Sequence, residues 1–234
     1  MTSSPNDTPP ALRAVLFDID GTLIDSNYLH VDAWMRAFDD VGAEVDAWTI
    51  HRSIGLDSAK LLEAALVDRV DELGERATDR HTVHYEPLKS RLRPFAGARE
   101  LIAALDGLGL RVVLATSAPP EEFEVLSRRL DVDEHLFEAT NADDVETAKP
   151  EPDIIVSALE KAGVTAAEAV MIGDTRWDVI AAARAGVRTL GVLSGGIGEE
   201  ELREAGAAEV YADVSAILQA VRENGPRVLS GAPD

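Results

Sequence analysis

Apolar residues recur along the chain in short runs separated by longer amphipathic stretches. Five runs rich in β-branched residues, AVLF (14–17), RVVLAT (111–116), HLFEA (135–139), AVMIG (169–173) and RTLGVL (188–193), have the length and composition of buried strands. A sixth, EVYA (209–212), suits a strand at a sheet edge. Helix-period segments lie between the later runs: ARELIAALDGLG precedes the second run and PDIIVSALEKAG the fourth, each closed by glycine. Strand and helix alternate, which predicts an α/β fold with a doubly wound parallel sheet, Rossmann-like, joined by right-handed crossovers. In such a sheet, ligands bind beyond the carboxyl ends of the strands.

One region breaks the alternation. Between Ser26 and Arg93 the pattern contains no strand, only helical segments: NYLHVDAWMRAFDDVG, DAWTIHRSIG, DSAKLLEAALVDRVDEL and a polar stretch reaching HYEPLKSRLR. The pattern predicts an all-helical cap over 26–93, inserted into a core made of 11–25 and 94–224. Both connections could act as hinges. The polar, proline-rich residues 1–10 are expected to be a disordered tail and 225–234 a C-terminal tail.

Composition narrows the chemistry. With 46% hydrophobic and 28% charged residues among 234, and no apolar run long enough to span a bilayer, a globular protein without a membrane partner is expected. The N-terminus lacks the basic start and apolar centre of a secretory signal, and the chain has no cysteine, so a cytoplasmic location is expected. Disulfides, thiolate metal sites and cysteine nucleophiles are excluded, so a metal must be held by oxygen or histidine. The net charge of −21 argues against a nucleic-acid partner, since few cations are present to neutralise phosphates. Either a plain acidic surface or a salty cell interior accounts for that charge, and the chain is compatible with a monomer or a homodimer.

The strand ends carry the candidate chemistry. The first run is followed by Asp18 and Asp20, the second ends at Thr116 and Ser117, and the fourth ends in Gly173 and Asp174, with Asp178 four residues on. Lys149 lies in a proline-stiffened loop, AKPEPD, ahead of the helix leading to the fourth run. Parallel strands would gather these groups on one edge. Clustered carboxylates raise one another's pKa unless a cation sits among them, and all-oxygen ligation favours Mg2+, bound through one or two carboxylates plus water and substrate phosphate. Mg2+ would also offset the repulsion of a phosphate dianion by so acidic a chain within a Debye length, about 8 Å at physiological salt.

FDIDGTLIDS, VLATS, the lysine of AKPEPD and GDTRWD, in that order and with the helical insert between the first two, resemble the four motifs of the haloacid dehalogenase superfamily, in its phosphatase branch. The resemblance runs from about residue 11 to 222 and implies a Mg2+-dependent phosphatase acting on a small-molecule phosphate ester. By that likeness Asp18 is the nucleophile, forming an aspartyl phosphate, and Asp20 the general acid and base. Gly21 turns the chain sharply and exposes backbone N–H groups to phosphate. Thr116 and the N–H of Ser117, at the start of the next helix, bind phosphoryl oxygens, and Lys149 holds Asp18 in register. Asp18, the Asp20 carbonyl and Asp174 ligate the metal; Asp178 either reaches it through water or orients Lys149 or a backbone group.

The cap offers His30, Arg52 and Lys60 as substrate contacts and Trp34 as a wall. His30 is either a catalytic histidine, as in the β-phosphoglucomutase type of the superfamily, or a helix residue at the interface between cap and core. Arg52 either grips a substrate anion or lies on a solvated face. Two alternatives to a phosphatase stand: a phosphomutase, disfavoured because Gly173 replaces the acidic residue of that type, and a non-catalytic phosphoacceptor or binding protein, disfavoured by the helical insert.

Overall fold

The computed structural model describes residues 11–145 and 147–230, so the expected N-terminal tail (1–10) and residues 231–234 lie outside it. Six strands, β1 (Ala14–Phe17), β2 (Arg111–Ala115), β3 (Glu138–Thr140), β4 (Ala169–Gly173), β5 (Arg188–Val192) and β6 (Glu209–Tyr211), form one sheet in the order β3-β2-β1-β4-β5-β6. Every pairing is parallel, as the strand and helix alternation predicts, and β6 lies at the edge.

Between β1 and β2 come the cap helices α1 (Asn27–Val41), α2 (Ala47–Ser53), α3 (Ser58–Leu66) and α4 (Val70–Tyr85). The core helices follow: α5 (Ala98–Gly107), α6 (Pro120–Leu130), α7 (Asp153–Ala162), α8 (Arg176–Arg184), α9 (Glu199–Ala205) and α10 (Val214–Asn224). Alternation along β1 builds both layers, because successive side chains of a strand face opposite sides. Val15 and Phe17 pack with Leu101 of α5 and Ile217 of α10, whereas Ala14 and Leu16 pack with Ile155 of α7 and Ala181 of α8. All four β1 residues are fully buried, and each large one is worth about 1.5–3 kcal/mol of burial.

The cap has its own core, in which Trp34, Phe38, Ile50, Leu62 and Leu73 pack together. The segment DSAKLLEAALVDRVDEL, expected as one helix, breaks at Val67, whose φ of 52° stops α3 before a single 3₁₀ turn leads into α4. The two segments joining cap to core lie side by side: Asp25 N–H donates to Arg93 O at 2.9 Å, and Phe95 N–H donates to Leu23 O at 2.9 Å.

Two further expectations are corrected. The run HLFEA is not a strand through its length: Asp133–His135 form a 3₁₀ turn, the Phe137 N–H donates to Val112 O of β2 at 2.8 Å while its half-exposed ring lies 4.8 Å under the Arg111 guanidinium, and β3 itself starts at Glu138. The stretch from 225, expected as a tail, forms a short helix over Arg227–Ser230 that buries Leu229 against the core. No helix among the described residues is long and apolar enough to cross a membrane.

Register sets the site. Phe17 is level with Leu114 on one side and Ile172 on the other, so the next residue, Asp18, emerges beside Ala115 and Gly173, the last residues of β2 and β4.

Candidate active site

Asp18 leaves β1 with its N–H still donating to Ile172 O at 3.0 Å, which holds the residue against the end of β4. The chain then turns at Gly21, where φ is +73° and a Cβ would stand 2.3 Å from Asp174 Oδ2. Only glycine combines that backbone with that approach. Past the turn, Thr22 Oγ1 donates to Asp174 Oδ1 and Asn27 Nδ2 donates to Asp174 Oδ2, both at 2.8 Å. Ser26 Oγ donates to Asp20 Oδ1 at 2.5 Å. One strand-to-helix connection thus carries two carboxylates and fixes a third from β4.

Lys149, fully buried, joins the strand ends. Its ammonium donates to Asp18 Oδ1 at 2.6 Å and to Asp178 Oδ1 at 2.7 Å. The other Asp178 oxygen accepts the Thr175 N–H at 3.0 Å and hydroxyl at 2.6 Å, closing a capping box at the start of α8. Both oxygens of Asp178 are thereby engaged, so of the alternatives open in the sequence the geometry favours orientation of Lys149 over ligation of a metal. Gly173 is required here: a Cβ would lie 2.5 Å from that of Asp178.

Oxygens of Asp18, Asp174 and Asp178 lie within 4.8 Å of one another, with one ammonium among them. Burial pushes the Asp18 carboxyl up to about 7, the Asp178 and Asp20 charges add to it, and Lys149 opposes the rise. Asp174 is raised well above the usual carboxylate range, first by burial and then by the charges of Asp178 and Asp18. For Lys149, burial favours the neutral amine, but the Asp178 and Asp18 carboxylates outweigh it and keep the ammonium charged.

Thr116 is buried, and its Oγ1 accepts the Ala118 N–H at 3.1 Å. Ser117 lies three residues before α6 rather than at its start, because Pro119 and Pro120 set the helix boundary, and its buried hydroxyl has no partner. His30 Nε2 is 3.8 Å from Asp20 Oδ1 and 3.0 Å from Glu122 Oε1, and its ring stacks on Tyr85 with centroids 4.0 Å apart. Burial disfavours the imidazolium, but Glu122 and Asp20 overcome it and hold the pKa at about 10. Of the two alternatives open for Arg52 the geometry favours the solvated face: half exposed, it pairs with Glu201 at 2.7 Å and is not among the residues lining the cleft over Asp18. Lys60 likewise donates to the carbonyls of Ala148 (2.7 Å) and Lys149 (3.2 Å) rather than facing a ligand.

A cleft of about 420 Å³ opens between cap and core over Asp18, Asp20, Thr116 and Ser117, with His30 and Trp34 on its cap side. That volume is of the size that holds a small metabolite. Sequence reasoning missed Thr22, Ser26, Asn27, Glu122 and His81. The first three directly follow the DxDG stretch and read as turn and cap residues; Glu122 and His81 meet His30 only through folding, so no local spacing marks them.

Carboxylates on two parallel strand ends and in the first turn of α8, bridged by a buried lysine beneath a helical cap, define the class of enzymes that move a phosphoryl group. The sequence pattern of the haloacid dehalogenase-like hydrolases matches residues 12–186, and the chain belongs to that family. It is 30% identical over 216 residues to a phosphoglycolate phosphatase from Rhodospirillum rubrum, covering 88% of this chain and 89% of that protein. It is 30% identical over 202 residues to a phosphorylated carbohydrates phosphatase from Thermotoga maritima, covering 84% and 92%. The solved structure of a hydrolase from Pseudomonas syringae superposes with a TM-score of 0.84 at 36% identity, over 91% of this chain and 99% of that one. The chain is therefore an enzyme of a phosphatase family, and the non-catalytic alternative is set aside.

Proposed function

We propose that the chain is a Mg2+-dependent phosphatase of a small-molecule phosphate monoester, working through an aspartyl phosphate on Asp18. The observation that carries this reading is the buried bridge from Lys149 to Asp18 and Asp178, with Asp20 two residues beyond the nucleophile. The residues fit a divalent cation: one ammonium does not neutralise three buried carboxylates, and Asn27, already bound to Asp174, leaves its buried Oδ1 unpartnered. Asp18, Asp174 and the Asp20 carbonyl would hold the ion. When bound, Mg2+ keeps Asp18 ionised and offsets charge on the phosphoryl oxygens.

The chain's own groups account for the rest. Lys149 fixes the Asp18 carboxylate so that one oxygen attacks phosphorus in line, and its charge offsets the negative charge spread over the equatorial oxygens. The unpartnered Ser117 hydroxyl and the backbone around Thr116 face the phosphoryl group. Asp20, held by the Ser26 hydroxyl, gives its proton to the departing alkoxide and then takes one from the water that hydrolyses the phosphoaspartate. The cap excludes bulk water during the first transfer.

Gly173 favours a hydrolase over a phosphomutase: an acidic side chain there would collide with Asp178 and disturb the lysine it orients. A cytoplasmic location and a monomeric or homodimeric state complete the reading. Mg2+-dependent phosphate release from p-nitrophenyl phosphate tests it, since Asp18→Asn should abolish release with circular dichroism unchanged. Near wild-type release by that variant would overturn it.

A further inference from the structure

The cleft is poor in positive charge. Asp18 and Asp20 form its floor, and Asp57 and Glu122 add two more carboxylates to its walls. No lysine or arginine is among the residues lining it. The cations nearby are committed elsewhere: Lys149 lies beneath Asp18, Lys60 binds the Ala148 and Lys149 carbonyls, and Arg52 pairs with Glu201. Two histidines line the cleft. His30 is balanced by Glu122 at 3.0 Å, and His81 is kept neutral, its pKa held to about 3 first by burial and then by the His30 charge.

The remaining polar groups suit alcohols. Thr78 and Thr82 on α4 give their hydroxyl protons to the Gly74 carbonyl (3.1 Å) and the Thr78 carbonyl (3.2 Å), so they offer lone pairs to the cleft. Asp57 spends one oxygen on the Lys60 N–H at 2.7 Å as the N-cap of α3, leaving the other for a donor. Carboxylates and hydroxyl lone pairs accept hydrogen bonds from O–H groups and repel a second anion, and the low-dielectric walls of a cleft strengthen that repulsion.

We infer that this cleft selects a monophosphate whose leaving group is an uncharged, hydroxyl-bearing alcohol and rejects one whose leaving group carries its own carboxylate or phosphate. The inference rests on the phosphatase reading and narrows its substrate. It separates this chain from an enzyme tuned to a phosphorylated hydroxy acid, which needs a free cation where this cleft has Asp57 and Glu122.

Matched pairs of esters that differ only in that charge provide the test: 2-hydroxyethyl phosphate against phosphoglycolate, and glycerol 3-phosphate against 3-phosphoglycerate. In each pair kcat/KM should favour the alcohol by ~tenfold or more, and the preference should shrink as added salt shortens the screening length. Asp57→Asn, which keeps the cap acceptor of α3, should also shrink it, chiefly by raising kcat/KM for the acid member of each pair. Equal or better turnover of the acid member overturns the inference, as does a ratio unmoved both by salt and by Asp57→Asn. Where turnover is too slow to measure, calorimetric binding of the same pairs with Mg2+ present is read by the same criterion. Failure of the phosphatase reading is a separate result, in which p-nitrophenyl phosphate is not hydrolysed or Asp18→Asn hydrolyses it normally.

Discussion

The ammonium of Lys149, without exposed surface, stands 2.6 Å from Asp18 Oδ1 and is the single positive charge among three buried carboxylates. Removing it should do more than slow the reaction. Lys149→Met leaves Asp18 and Asp178 facing each other in the interior, and loss of one partner of a buried pair costs about 3–5 kcal/mol. Urea unfolding should show that loss, and Asp18→Asn in the same background should recover part of it.

Stability of the metal-free enzyme should depend on pH with a sign set by Asp18. Its folded pKa of about 7 lies above the ordinary 3.8, so between those values the folded state holds a proton that the unfolded chain has released. That stabilisation is complete below 3.8 and is lost as pH rises through about 7. Asp174, also raised, acts in the same direction. Glu168 opposes it at the acid end: the Thr165 N–H and then Arg13 hold it at about 2, so its contribution is present above 4.5 and lost as pH falls through 2. In EDTA, Tm should therefore fall from mildly acid to alkaline pH. Saturating Mg2+, which the proposed site would bind through its ionised carboxylates, should raise Tm more at about pH 8 than at about pH 5.

His30 and Glu122 form an ion pair between cap helix α1 and core helix α6. The Glu122 charge is the strongest of the influences raising the His30 pKa to about 10, so Glu122→Gln should lower that pKa by about one unit or more. Titration followed by imidazole NMR shifts measures this. An unchanged pKa would mean that the pair does not form in solution. Wild-type stabilisation by the imidazolium is full below 6.5 and lost as pH rises through about 10.

Gly195 lies against the proposed metal ligand: a Cβ there would stand 1.7 Å from Asp174 Oδ2. Gly195→Ala should displace that carboxylate and raise the Mg2+ concentration for half-maximal activity by ~tenfold or more, as changes beside metal ligands do. A Mg2+ titration of p-nitrophenyl phosphate hydrolysis reads the effect directly.

The sequence exposes the sheet more fully than the cleft. AVLF and AVMIG coincide with β1 and β4 because strands buried on both faces leave continuous apolar runs. HLFEA misleads because its start closes a 3₁₀ turn and the Phe137 ring lies under a surface arginine instead of in the core, and the break at Val67 carries no glycine or proline to announce it. Asp18, Asp20, Lys149 and Asp174 are legible because each follows a strand or sits in a marked loop. Glu122 has no such context and gains meaning only from His30 on a separate helix, while Arg52 shows the reverse, a plausible grip whose partner Glu201 no spacing reveals.

The central claim is that Asp18 carries the phosphoryl group. Acid quenching of the Asp20→Asn variant during turnover of p-nitrophenyl phosphate, whose leaving group departs without a proton, isolates the step, because Asp20 is then missing only from hydrolysis of the intermediate. Peptide mass spectrometry should find one phosphoryl group on the peptide containing Asp18, accumulating in the variant and labile to hydroxylamine. Steady turnover with an unmodified Asp18, or label on another residue, would contradict the account.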